Sequence, residues 1–248
     1  MQLWHSYHMT IPYKESSKGK KDQIRSMFDN ISGNYDRLNQ MLSLGVERIW
    51  KKKMVKAIKH TNPKKILDIA TGTADIAVLQ AEKIPQASII GLDLSPKMID
   101  FAKGKVERKG LSHRIDLVVG DSESLPYEEN SFDAVSISFG VRNFENLEKG
   151  IEEIYRVLNK GGRIFVLEFS KPTIFPFKQL FNFYFGNILP RIGSWVSKDK
   201  SAYTYLFESV QSFPDFEKFT DVLDKCGFKN CKWKAFTLGI CCLYIGEK

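Results

Sequence analysis

The middle of the chain alternates short apolar runs with stretches of helical character. Five apolar runs have the length of buried strands, at residues 66–69, 89–92, 115–119, 132–138 and 163–168. Between them, helix formers or apolar residues at helical spacing occupy residues 74–82, 96–108 and 147–158. Such alternation predicts an α/β domain with a mainly parallel, Rossmann-like sheet that is covered by helices on both faces.

The last third of the chain departs from this alternation. Residues 171–214 are unusually rich in aromatic side chains, and we expect them to form a helical lid insertion that covers a substrate. A helical cap packed on the sheet fits the same composition. Residues 215–226 predict a helix, and alternating stretches near Trp233 and Leu243 predict an antiparallel pair that closes the sheet. We therefore expect an N-terminal helical extension at residues 1–60 and one domain at residues 61–248.

Residues 64–93 have the order strand, glycine turn, helix, strand, which is typical of nucleoside-binding units. Gly72 lies where the chain must turn sharply, and Asp93 ends the second strand, where a carboxylate can bind ribose hydroxyls. The turn has one glycine, and Asp75 would repel a pyrophosphate. A cation without phosphate, such as S-adenosylmethionine, fits better, with Asp68 and Asp75 favouring its positive groups. The alternative is an ordinary turn that binds no ligand.

Other strand ends supply further candidates for a cofactor site, because ligands of such sheets bind beyond the carboxyl ends of the strands. Asp121 is expected to accept a hydrogen bond from an adenine amino group, while the Ser122 N–H meets a ring nitrogen. Each residue alone could equally be a turn or capping residue. The predicted cofactor-binding set is Gly72, Thr73, Asp93, Asp121, Ser122 and Ser138.

The net charge of +8 is concentrated near the N-terminus. Residues 1–60 hold 12 Lys/Arg against 5 Asp/Glu, a net +7, which leaves +1 for the other 188 residues. Residues 46–59 combine apolar residues at helical spacing with five lysines at positions 51, 52, 53, 56 and 59. Such a helix could bind an anionic membrane surface, pack on the core with a solvated lysine face, or bind nucleic acid.

Two absences limit the class of protein. No apolar run approaches the roughly 18 residues of a membrane helix, and the first residues lack the apolar core of a signal peptide. We therefore expect a cytoplasmic protein, with peripheral membrane contact through the basic helix. The four cysteines, Cys226, Cys231, Cys241 and Cys242, show no paired CxxC spacing, which favours reduced packing thiols over a metal site.

Two separated segments carry longer motifs. They are residues 35–43 (YDRLNQMLS), followed by Trp50, and residues 156–170 (RVLNKGGRIFVLEFS). Shorter motifs accompany them at residues 136–143 (SISFGVRN), 189–193 (LPRIG) and 201–208 (SAYTYLFE). Together they resemble the ubiquinone/menaquinone biosynthesis C-methyltransferase family, a group of class I S-adenosylmethionine-dependent methyltransferases, from about Lys21 to the C-terminus. The resemblance departs at Leu38, Glu47 and Lys160, where the family usually has Met, His and Pro.

The resemblance implies methyl transfer from S-adenosylmethionine to a ring carbon of a prenylated hydroquinone. Demethylmenaquinol is the first candidate and a benzoquinol of the ubiquinone pathway the alternative. Arg142 would favour the ionised hydroxyl, unless it only forms a structural ion pair. Tyr35 and Asp36 would contact substrate or move a proton. Since Glu47 replaces the family histidine, we do not expect an imidazole base.

Two other functions stay open from the sequence. A nucleic-acid methyltransferase would exploit the basic N-terminus, but the nearly neutral remainder and the SFGVRN segment argue against it. A non-catalytic, cofactor-binding subunit of a quinone-synthesis complex is the other, and the intact motifs argue against that. The sequence also leaves the oligomeric state open, a homo-oligomer included.

Overall fold

The computed structural model describes residues 10–34, 43, 45–188 and 200–248. The helices are α1 (Lys20–Ile31), α2 (Glu47–Lys59), α3 (Asp75–Lys83), α4 (Pro96–Arg108), α5 (Leu147–Val157), α6 (Phe177–Phe183), α7 (Lys200–Ser212) and α8 (Glu217–Lys225). The strands are β1 (Lys65–Ile69), β2 (Ser88–Asp93), β3 (Ile115–Val119), β4 (Phe132–Ser138), β5 (Leu158–Phe169), β6 (Lys229–Phe236) and β7 (Cys241–Glu247).

The strands form one seven-stranded sheet in the order β3-β2-β1-β4-β5-β7-β6. Strands β1 to β5 run parallel, whereas β7 is antiparallel to both β5 and β6. The predicted parallel sheet and antiparallel closing pair are therefore confirmed. The order of the strands reverses between β1 and β4, which is where sheets of this kind bind ligands.

Strand β5 begins five residues before the predicted run. Leu158 pairs with Phe132 and Arg163 with Ala134, so an irregular register accommodates the residues between them. Gly161 adopts a φ of 77° in this stretch. Gly161 and Gly162 therefore lie inside an irregular strand, in which Gly161 supplies the left-handed backbone conformation.

Successive strand residues point to opposite faces and fill two cores. On one face, Ile66 and Phe165 pack with apolar residues of α2, α3 and α4. On the other, Leu67 and Val166 pack with α5 and α8. This alternation explains why the predicted strands read as continuous apolar runs, since both faces of the sheet are covered.

The basic helix α2 packs on the first core. Trp50, Met54, Val55 and Ile58 are buried there, while Ile49 is 54% exposed. The apolar side of α2 is therefore largely used by the protein itself, in line with the core-packed interpretation. Any membrane contact of this helix has to come from its lysines.

The remaining helices lie near the carboxyl ends of the strands. Ile24 and Met27 of α1 form a small core with Ala202 and Tyr205 of α7. Phe181 of α6 packs with α7 in a second small core. Within the described ranges, no helix combines the length and the apolar character that crossing a membrane requires.

Candidate cofactor and substrate site

The turn after β1 is held in an unusual backbone conformation. Ala70, Gly72 and Ala74 have φ values of 53°, 56° and 65°, in the left-handed region that L-residues rarely adopt. The loop after β4 packs closely against this turn, because a Cβ on Gly140 would lie 2.4 Å from the Cβ of Ala70. Strain of this kind persists where the surroundings enforce it, commonly at ligand sites.

A pocket that is partly open to solvent lies over these two loops. Five of the six residues predicted to bind cofactor line it: Gly72, Asp93, Asp121, Ser122 and Ser138. The ends of four strands and the turns that follow them thus contribute to one cavity, as the topology requires.

Asp93 is a buried carboxylate held by backbone donors. Its Oδ2 accepts from the Gly72 N–H at 2.8 Å, and its Oδ1 accepts from the Ser95 N–H at 2.9 Å. Burial raises the pKa of Asp93 to about 6, although these hydrogen bonds act to lower it. Both partners are neutral, so the ionised side chain keeps a negative charge that a ligand can meet.

Asp68 and Asp75 were predicted to attract a cationic ligand, but they are not among the residues that line the pocket, and both carboxylates have partners within the chain. Asp68 lies below the pocket, where its carboxylate accepts hydrogen bonds from the hydroxyls of Thr71 (2.7 Å) and Ser136 (2.5 Å). Asp75 pairs with Lys51 at 2.9 Å and Lys105 at 2.7 Å. Two lysines thus neutralise Asp75, whereas Asp68 braces the strand end.

Thr73 is buried and belongs to the same lysine cluster. Its Oγ1 accepts a hydrogen bond from Lys105 Nζ at 2.9 Å. Unlike the other five candidates, Thr73 is not among the residues that line the pocket. Its side chain therefore holds the turn in place rather than facing the cavity.

Asp121 already has partners on both carboxylate oxygens. Oδ1 accepts from the Glu123 N–H at 2.9 Å, and Oδ2 accepts from Lys21 Nζ of α1 at 2.6 Å. Lys21 also lies 3.3 Å from a carboxylate oxygen of Glu123. Lys21 was not predicted from the sequence, because nothing in the local pattern of α1 indicates which strand end its side chain reaches.

Ser138 ends β4 at the wall of the pocket. Its Oγ is buried and has no hydrogen-bond partner among the described residues. Buried hydroxyls in folded proteins are nearly always hydrogen-bonded. An orphaned Oγ beside a cavity is therefore what a ligand-binding serine would show before its ligand arrives.

Arg142, in the loop after β4, forms a buried ion pair with Glu168. Its Nη1 donates to Glu168 Oε1 and to the Phe139 carbonyl, both at 2.6 Å. The two side chains are only 7% and 0% exposed. Burial raises the pKa of Glu168 while Arg142 opposes that rise. The alternative of a structural ion pair thus matches this geometry, although Arg142 Nε is buried without a partner in the described part of the chain.

Tyr205 of α7 and Asn143 were not predicted from the sequence. The Tyr205 hydroxyl donates to Asn143 Oδ1 at 3.0 Å, and Asn143 lines the pocket. Burial raises the pKa of Tyr205 well above its ordinary value.

The predicted Tyr35 and Asp36, together with Leu38 and the 189–193 motif, lie outside the described residues. Glu47 is buried and lies 3.5 Å from Lys51, in a structural ion pair.

Sequence comparison identifies the family. The ubiE/COQ5 methyltransferase family matches residues 15–248. The chain belongs to this family. It is 41% identical to a demethylmenaquinone methyltransferase of Bacteroides fragilis over 96% of both chains. It is also 44% identical to a ubiquinone/menaquinone biosynthesis C-methyltransferase UbiE of Geotalea daltonii, over 95% of this chain and 100% of that one.

Solved structures agree with this assignment at the level of the fold. A SAM-dependent methyltransferase of Thermotoga maritima matches with a TM-score of 0.63 at 18% identity, over 91% of this chain and 99% of that one. One from Aquifex aeolicus matches with a TM-score of 0.55 at 14% identity, over 77% and 87%. The predicted fold class, enzyme class and cofactor, S-adenosylmethionine, are confirmed.

Proposed function

We propose that this enzyme methylates a ring carbon of demethylmenaquinol, a prenylated naphthalene-type hydroquinone. The observation that carries the proposal is the match to demethylmenaquinone methyltransferases, such as that of Porphyromonas gingivalis at 40% identity over 92% of this chain. Other relatives of similar identity are named for both the ubiquinone and menaquinone pathways. A benzoquinol therefore remains the second candidate substrate.

The pocket residues fit the cofactor. We propose that the Asp93 carboxylate holds the ribose hydroxyls, that Asp121 and the Ser122 N–H meet the adenine, and that Gly72 allows close approach of the backbone. The Ser138 Oγ, which has no partner in the described part of the chain, supports a ligand at this wall of the pocket. When bound, S-adenosylmethionine supplies a methyl group on positively charged sulfur. Thr73 would contribute through the turn it anchors, not through direct contact.

The chain's own part in the reaction is to position the quinol, favour its ionised hydroxyl and exclude water. Arg142 is our candidate for the electrostatic task, and its Nε–H, which has no partner among the described residues, supports that choice. Because Glu168 offsets much of its charge, we expect its effect to come from a fixed donor rather than from a free cation. Tyr35 remains a second proposed catalytic residue, on the strength of the motif at residues 35–43.

We propose that residues 171–214 cover the substrate and hold its isoprenoid tail. Phe181 anchors α6 against α7, whereas Phe175, Leu180 and Phe183 are 76%, 58% and 58% exposed. A cluster of exposed apolar side chains suits contact with a lipid-like group. Residues 1–60 would form the other part of the cover, since α1 borders the pocket.

We also propose weak peripheral contact with an anionic membrane through α2. Lys52, Lys53 and Lys56 are exposed on this helix, whereas Lys51 is tied to Asp75. Each lysine near an anionic surface adds roughly 1 kcal/mol at low salt. Replacing Lys52, Lys53 and Lys56 by Gln should reduce liposome binding and activity on a long-tailed quinol in vesicles. Activity on a short-tailed quinol should be unchanged, and a parallel loss of both would refute the membrane role.

The direct test is a methyl-transfer assay with labelled cofactor and two quinols of equal tail length. We expect product from the demethylmenaquinol, with a higher kcat/KM than from the benzoquinol. Higher kcat/KM on the benzoquinol would reverse the assignment of the ring. Cofactor binding with no turnover on either quinol would favour a non-catalytic subunit instead.

A further inference from the structure

Helix α1 closes one side of the cofactor pocket and is fastened to three strand ends. Lys20 Nζ donates to the Phe144 carbonyl beyond β4 at 2.7 Å, in a buried bond. Asp29 Oδ1 accepts from the Ser95 hydroxyl beyond β2 at 2.5 Å. Lys21 reaches Asp121 beyond β3 at 2.6 Å. The helix therefore contacts the residues that follow each strand around the adenosine part of the site.

Lys21 donates a hydrogen bond to Asp121, the residue that we propose also accepts from the adenine amino group. Burial lowers the pKa of Lys21, but the hydrogen bond to Asp121 and the charge of Glu123 outweigh this and raise it. Lys21 is thus a cation on the carboxylate. An adenine amino group and this ammonium group would donate to the same side chain.

Glu123 is a second ion-pair partner for Lys21. Its Oε2 lies 3.3 Å from Lys21 Nζ, while its Oε1 accepts from the backbone N–H groups of Glu145 and Asn146 at 2.8 and 3.1 Å. Glu123 is therefore a buried, fixed carboxylate beside Asp121. Lys21 can shift its hydrogen bond from Asp121 to Glu123 without losing its ionic partner.

We infer that Lys21 is a positioning residue that competes with the adenine amino group for Asp121. Cofactor binding is thereby coupled to the docking of α1 on the sheet. This rests on the proposed adenine role of Asp121. The same competition affects which base the site prefers. A hypoxanthine base presents a carbonyl oxygen in place of the amino group, which Asp121 would repel but the Lys21 ammonium could bind.

The test measures binding of S-adenosylhomocysteine by calorimetry to wild type, Lys21→Met and Lys21→Arg. Competition predicts that Lys21→Met binds about two- to fivefold more tightly, the size expected of a partly exposed ion pair. Lys21→Arg should stay close to wild type, because it keeps the cation. Arg25→Met is the matched control, since Arg25 lies one turn further on α1 and pairs with the exposed Asp22. Unchanged or weaker binding by Lys21→Met would overturn the inference.

Two further measurements separate competition from a general effect on folding. In an Asp121→Ala background, Lys21→Met should have no effect on affinity, since the contested acceptor is gone. The ratio of affinities for S-adenosylhomocysteine and its inosine analogue should rise in Lys21→Met, which a merely structural lysine would not produce. If Asp121→Ala itself leaves affinity unchanged, the adenine assignment fails. If it weakens binding but Lys21→Met keeps its effect there, only the competition fails.

Discussion

Two buried carboxylates, near the carboxyl ends of two parallel strands, are stabilised in different ways. Asp93, at the end of β2, is held by neutral N–H donors and lines the pocket that we propose for the cofactor. Glu168, near the end of β5, is neutralised by Arg142 behind the pocket. Burial raises the pKa of both. The first arrangement keeps a charge for a ligand, whereas the second uses its charge to fix the shape of the wall.

The largest effect should follow from breaking the Glu168–Arg142 pair. Arg142→Met leaves Glu168 buried without its cation, which we expect to cost about 3–5 kcal/mol in unfolding free energy. The double variant Arg142→Met/Glu168→Leu should recover most of this, because no unpaired charge remains. Urea unfolding followed by circular dichroism measures both. Lys109→Met, which removes a solvent-exposed pair with Glu82, is the control and should cost less than about 1 kcal/mol. Equal small losses in both single variants would contradict this account.

Removing the charge of Asp93 should act on binding. Asp93→Asn keeps an acceptor oxygen but loses the charge, and we expect cofactor affinity to fall by about 1.5–3 kcal/mol while the fold survives. Asp133→Asn is a matched control, because Asp133 also accepts two backbone N–H bonds, from Lys64 and Lys65, at the other end of the sheet. Calorimetric binding constants decide the matter, and equal effects of the two variants would remove Asp93 from the site.

The raised pKa of Asp93 predicts a pH dependence of cofactor binding. A carboxyl group with a pKa of about 6 is mostly ionised at pH 7 and mostly protonated at pH 5. Affinity should therefore fall up to about tenfold between these values, as the charged acceptor is lost. The Asp93→Asn variant should show a nearly flat profile over the same range. A wild-type profile as flat as that of the variant would show that ionised Asp93 is not needed.

The sequence predicted the sheet and the pocket well, because both follow from patterns along single strands. Residues after β1 to β4 must meet at one edge of a parallel sheet, so Gly72, Asp93, Asp121 and Ser138 could be grouped without coordinates. The ion-pair partners of Asp75 could not be found in this way. Its partners, Lys51 and Lys105, come from two helices distant in sequence, and no local pattern reveals that they converge on it.

Lys21 and Tyr205 were missed for a related reason. Both lie on helices outside the β–α alternation, and their roles depend on how α1 and α7 dock at the strand ends. Helix docking is set by side-chain packing over long sequence separations, which periodicity does not encode. The apolar spacing of α2 was found correctly, but whether it faced lipid or core depended on the sheet beneath it.

The smallest effect, and the one with opposing signs, concerns Ser138. In the free protein its buried Oγ has no partner among the described residues, so Ser138→Ala should leave the unfolding free energy unchanged or raise it by up to about 1 kcal/mol. If that hydroxyl binds the cofactor, the same change should weaken cofactor affinity by about 0.5–1.5 kcal/mol. Ser136→Ala is the contrasting control two residues earlier, because Ser136 donates to Asp68 and accepts from Gln80, and its loss should destabilise the fold. A Ser138→Ala variant that loses stability but not affinity would show that the serine belongs to the structural wall, with Glu168, and not to the ligand-binding edge, with Asp93.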